Sequence, residues 1–105
     1  MTIEYSTLAK EAMFLWNIDE GRISRAVEIV TGRQIHLAQR DENGQSITPS
    51  IDVLIVPGKA GWYIVRKGTC TCLDNKHGHI CKHRIAAWLY REQIKRTEEI
   101  VKKGQ

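Results

Sequence analysis

Fourteen residues, CTCLDNKHGHICKH at positions 70–83, hold all three cysteines of the chain and three of its four histidines. Cys70, Cys72, His77, His79, Cys81 and His83 are six plausible ligands, and a tetrahedral zinc ion takes four. Three cysteines cannot all pair within one chain, and Cys70 and Cys72 are too close in sequence for an easy bridge. Clustered cysteines in a reducing compartment more often bind metal than form disulfides. The fold therefore has to bring both ends of this stretch to one point.

The spacing says how. Residues i and i+2 of a strand point to one face, so a Cys70-x-Cys72 strand delivers two thiolates together. Cys81 and His83 would diverge by about 200° inside a helix. They converge if Cys81 precedes a helix and His83 lies in its first turn, where free N–H groups favour a thiolate. Cys70, Cys72, Cys81 and His83 then form a closed structural Cys₃His set for one Zn²⁺. On this reading His77 or His79 in place of His83 stays open as an alternative; with His79 the set becomes CxC-x₆-HxC. A catalytic zinc is not expected, because three thiolates suppress Lewis acidity and Asp74 alone offers a nearby carboxylate. Asp74, Asn75 and Gly78 suit a loop carrying His77 and His79, and the roles of these two histidines stay open.

The rest of the chain reads as α+β. Its 105 residues suffice for a single domain, 1–105, small enough to benefit from a metal staple. Two N-terminal helices are expected within residues 6–31. The first covers 6–17, capped by Ser6 or Thr7, with Leu8, Ala12 and Leu15 on one side and Ala9, Met13 and Trp16 beside them. The second covers 19–31, with Ile23, Ala26, Val27 and Val30 at helical spacing, Asp19 and Glu20 at its positive end, and Gly32 as its terminal cap. From 33 to 72 the period falls to two, which predicts an antiparallel meander of three to four strands: RQIHLAQ, IDVLIV, WYIVR and TCTC. In the first of these, Ile35 and Leu37 are expected inside, against Gln34, His36 and Ala38. Residues 84–103 contain no Gly or Pro and predict a long C-terminal helix.

C-x-C, eight residues, C-x-H is similar to the signature of the SWIM zinc finger, with Cys70, Cys72, Cys81 and His83 in the ligand places. The flanks resemble the family too: WYIVRKG before the C-x-C, CKHRIAAWL after it, and a fainter echo in SRAVEIVTG. The resemblance is strongest over residues 51–90 and implies one structural zinc in segment 70–83. SWIM fingers occur in helicases, transposases and recombination factors, so it also implies DNA or protein as ligand. By analogy, a protein docked on a recombinase-like ATPase fits as well.

Charge supports the nucleic-acid side of that implication. Residues 1–58 carry five Lys+Arg against eight Asp+Glu, whereas 59–105 carry eleven against four. On the last helix Arg84, Arg91, Lys95 and Lys102 fall within about 40° of one line, with Trp88 beside it. Arg66, Lys67, Lys76 and Lys82 add to this half, and together these residues are the candidate phosphate contacts. Met13, Phe14, Trp16, Tyr90 and Ile94 are candidate contacts for a larger protein partner. No Gly-rich phosphate loop, nucleophile elbow or carboxylate pair beside a base is present, so neither an enzyme nor a small-molecule substrate is expected. No apolar run is long enough to span a membrane and no secretory pattern is seen; the expected location is the cytoplasm, or the nucleus of a eukaryote.

Overall fold

The first helix, α1 (Tyr5–Trp16), forms on a run of good helix formers. Leu8, Ala9 and Ala12 are its buried face. Neither Ser6 nor Thr7 caps it: Glu4 takes that place without a side-chain bond, and Asn17 ends the helix in the left-handed region at φ 50°. The computed structural model describes residues 4–59, 61–76, 78 and 80–103. His77 and His79, whose roles the sequence left open, lie outside the described residues.

Helix α2 (Glu20–Thr31) starts as its sequence implies. The Asp19 carboxylate accepts the backbone N–H of Arg22 at 3.0 Å, satisfying one of the free donors of the first turn. Ile23, Ala26 and Val30 are buried. Gly32 caps the C-terminus with ordinary right-handed geometry, and the left-handed residue is Arg33 at φ 56°. The glycine signal thus marked the helix end one residue early for the positive φ.

Three short strands follow: β1 (His36–Leu37), β2 (Leu54–Gly58) and β3 (Gly61–Val65). They form one antiparallel sheet in the order β1-β2-β3. The β2–β3 hairpin runs in register from Leu54 opposite Val65 to Gly58 opposite Gly61. Leu54, Val56 and Val65 point inward and are fully buried. The alternation expected around β1 fails. Ile35 and Ala38 are buried while His36 and Leu37 are exposed, because the ladder has shrunk to two residues and Ala38 instead donates its N–H to the Val53 carbonyl. The expected TCTC strand is also reduced, to a single bridge between Val65 and Cys70. The chain then turns into a one-turn helix, α3 (Leu73–Lys76), where the sequence suggested a loop.

Helix α4 (Lys82–Lys103) closes the fold. Its first turns bury Ile85, Ala86, Ala87 and Leu89 in the same core as Leu8 of α1, Ile23 of α2 and Leu54 of β2. It packs on α1 and α2 along one side and on the β2–β3 hairpin along another. Among the described residues, no helix is long and apolar enough to cross a membrane.

Candidate metal centre

Cys70, Cys72, Cys81 and His83 are all buried, and their ligand atoms lie within 4.8 Å of one another. Donors about 2.0–2.3 Å from a tetrahedral zinc stand on the order of 3.5–4 Å apart, so the cluster needs only a small contraction to hold one. Three elements deliver the four groups. Cys70 sits on the bridge beside β3. Cys72 precedes α3; its carbonyl accepts the Lys76 N–H at 3.3 Å and its sulfur lies 3.5 Å from the Asn75 N–H. Cys81 precedes α4 in the same manner; its carbonyl accepts from Ile85 at 3.2 Å and its sulfur from the Arg84 N–H at 3.4 Å. Two of the three thiols are therefore helix N-caps. Sulfur replaces the usual oxygen, and each helix start directs an N–H at a ligand atom that is negative when deprotonated.

The chemistry of the donor set fits a metal. The Cys81 thiol is pulled down to about 4, first by a hydrogen bond with Cys70 and further by His83 and the Arg84 N–H. Cys70 moves the other way, because it is the donor to Cys81 and is buried. Both ring nitrogens of His83 are buried with no hydrogen-bond partner among the described residues. A buried imidazole with two idle nitrogens is costly, and metal coordination satisfies one of them. The set is that of one closed structural zinc, with no place left for an open catalytic position.

Supporting contacts fix the ligands from behind. The Asn75 amide donates to the Cys70 carbonyl at 3.0 Å and accepts from the Arg84 guanidinium at 3.2 Å, tying the hairpin, α3 and α4 together. The Tyr63 ring lies against the His83 ring, centroids 4.5 Å apart. Gly58 makes room for this pair: a Cβ there would run into the Tyr63 ring and come within 3.1 Å of His83 Nε2. Asn75 suits a loop in the sequence, and only its place beside the ligands, like that of Gly58, gives it a further role.

Residues 52–92 match the SWIM zinc finger family. The match runs from the approach to β2 into the middle of α4, and within it the CxCx₈CxH pattern is filled by the four clustered residues. No curated protein and no solved structure matches the chain. The SWIM zinc finger is a metal-binding module, generally without catalytic activity. Residues 1–51, which supply α1, α2 and β1, fall outside the match.

The candidate phosphate contacts do not form one surface. Arg91 is only 6% exposed and its Nε donates to the Ile51 carbonyl at 2.9 Å, so the expected stripe along α4 is broken in the middle. Arg84 is engaged by Asn75, and Arg66 makes a two-pronged pair with Glu42. Lys67, Lys76 and Lys95 are exposed. The side chain of Lys102 is outside those described.

Lys82 joins a group that the sequence did not bring together. It lines a cavity of about 430 Å³ with Arg22 and Arg25 of α2, Lys59 of the hairpin turn, and the ligands Cys72, Cys81 and His83. Arg22 and Arg25 are three residues apart on the polar face of α2, a spacing that places both on one side. Nothing in a linear reading connects them to Lys82.

The apolar candidates divide as well. Trp16 stacks edge-to-face on Trp88, centroids 5.1 Å apart, and Met13 and Tyr90 pack on the core. Ile94 is half-buried. Phe14 is 90% exposed, and its neighbour Leu15, expected on one side of the helix with Leu8 and Ala12, is 59% exposed while those two are buried.

Proposed function

We propose that the chain is a non-enzymatic zinc module that binds nucleic acid, with DNA as the form bound, through the face around its metal centre. The observation that carries this is the charge lining the zinc-side cavity. Three thiolates and one Zn²⁺ with a neutral histidine carry a net charge of −1. Beside Arg22, the cavity is lined by the three cations Arg25, Lys59 and Lys82, and no carboxylate lines it among the described residues. One of the three balances the centre. Two remain, more than a structural site needs, and a phosphodiester backbone supplies anions at the right density.

Titration of the zinc-loaded protein with duplex and single-stranded DNA at several salt concentrations tests this. Neutralising about two phosphates gives a slope of log K against log salt of about −2 on duplex. Reversing charge in Lys59→Glu or Lys82→Glu should weaken binding about tenfold while zinc content stays at one per chain. Absence of binding at low salt, or binding indifferent to both reversals, would sink the proposal.

A second reading, an adaptor docking on a larger protein, has one specific observation in its favour. Phe14 and Leu15 form an adjoining exposed apolar pair on α1. Phe14→Ser would abolish partner capture on that reading and leave DNA binding unchanged on the first.

A further inference from the structure

A second cationic cavity lies away from the zinc. It measures about 240 Å³ and is lined by Asp52, Lys67, Trp88, Arg91, Glu92 and Lys95. Lys82 and Arg91 are nine residues apart on one helix, which at 100° per residue sets them on opposite faces. The zinc-side face and this cavity are therefore separate surfaces with α4 between them.

Arg91 is the unusual member. It is only 6% exposed, and its Nη2 is buried with no hydrogen-bond partner among the described residues. Its Nε donates to the Ile51 carbonyl, which accounts for one of its donors. Burial weakens its hold on the proton, and the nearby Asp52 and Glu92 only partly offset this. Glu92 is already engaged, by Arg96 at 3.1 Å. A buried guanidinium with an idle N–H is costly unless an anion completes it.

We infer that this cavity is a binding site for a phosphate monoester. Lys67, Arg91 and Lys95 supply three positive charges against Asp52 and Glu92, and Arg96 is shared between Glu92 and Glu11, so the cavity keeps a net positive charge beside the idle Nη2. A terminal phosphoryl group presents three free oxygens at one end, whereas an internal phosphodiester continues on both sides. The small volume favours the first. Pockets that enclose a whole small molecule run from about 300 to 1,000 Å³, so this one takes a phosphoryl group rather than a complete nucleotide. The guanidinium fork suits phosphate oxygens, and Trp88 gives an adjoining flat surface for whatever the phosphate is attached to. The phosphate can be the end of a nucleic-acid strand or a free phosphate species, since both present the same oxygens.

Amide and indole NMR signals of the zinc-loaded full chain, followed during titration with inorganic phosphate against chloride of equal ionic strength, test the inference. Saturable shifts are expected at Lys67, Arg91, Lys95 and the Trp88 indole. Arg91 is buried, so its variants can fail to fold; the exposed Lys67→Ala and Lys95→Ala serve instead. Each should weaken phosphate binding about three- to tenfold with zinc content unchanged. A 5′-phosphorylated oligonucleotide that binds at least tenfold tighter than its unphosphorylated twin, and loses that margin in Lys95→Ala, identifies a strand end as the source. Equal affinity of the two oligonucleotides alongside saturable phosphate binding identifies free phosphate. Phosphate shifts that never saturate, or that are unchanged in both lysine variants, overturn the inference. That result leaves the zinc-side reading intact, because Lys59→Glu and Lys82→Glu act on a different surface.

Discussion

The two ends of α4 are held in different ways. At the N-terminal end a few atoms do the holding: four ligands, two sulfur-capped helix starts and the Asn75 link. Further along, the helix is held by distributed contacts: Trp16 against Trp88, and Arg96 paired with Glu11 of α1 and Glu92 of its own helix. The first arrangement is concentrated and depends on a metal. The second is dispersed, partly solvated and weakened by salt. A small domain with a modest core joins its hairpin to its last helix at a point, and its helices to one another over an area.

The sharpest way to break this contrast is to remove the metal. Structural zinc sites contribute about 10–16 kcal/mol of apparent binding free energy at neutral pH, against a stability of about 5–15 kcal/mol for a whole domain. Chelation, or Cys72→Ser, should abolish cooperative thermal unfolding by circular dichroism and bring zinc well below one per chain. A variant that melts within a few degrees of the parent would show that the hairpin and α4 hold together without the ion.

Gly58→Ala probes the same end more gently. The added methyl must displace the Tyr63 ring, whose Cδ2 would stand 2.7 Å away, and disturb His83 behind it. About 1–3 kcal/mol of destabilisation and a tenfold or greater loss in zinc affinity are expected. Competition with a chromophoric chelator measures the affinity. Tyr63→Ala in the same chain should restore part of the loss.

Away from the ligands the effects should be smaller and independent of zinc. Trp16→Leu should cost about 0.5–1.5 kcal/mol through loss of the edge-to-face pair, with zinc affinity unmoved. A drop in zinc affinity there would show that the two ends are coupled through α4 after all.

The smallest effect is the ion pair. Glu11 is held below its ordinary value of 4.5, first by the hydrogen bonds from Arg96. The fold thus favours the charged carboxylate. That contribution is fully present above pH 4.5 and is lost as the pH falls through the lowered value. The pair is partly exposed, so Glu11→Gln should change stability by no more than about 1 kcal/mol, and high salt should shrink the difference. Denaturant melts of parent and variant across that range should converge at low pH.

How much of this was legible in advance follows from the range of the forces involved. Helix α2 was readable to its cap, because Asp19 and the spacing of Ile23, Ala26 and Val30 are local. The long helix and the Cys₃His cluster were readable too, since both rest on spacing within one short stretch. The strands were less so. Leu37 was expected inside and Ala38 outside, yet the reverse holds, because a two-residue ladder does not enforce alternation. The pair expected on a strand, Cys70 and Cys72, became a bridge followed by a helix cap, which still brings the two thiols together by another route.

By itself the sequence determined that the ligands lie within residues 70–83, where the main helices run and that charge gathers in the second half. Periodicity reports which residues share a face, and ligand spacing reports which can meet around an ion. Neither reports what the rest of the fold packs against that face. The tertiary structure alone decided that Arg91 turns into a buried cavity instead of continuing a surface stripe. It also decided that Lys82 shares a cavity beside the ligands with Arg22, Arg25 and Lys59. Those partners lie far away along the chain, and packing of α2 and the hairpin against α4 is what makes them neighbours.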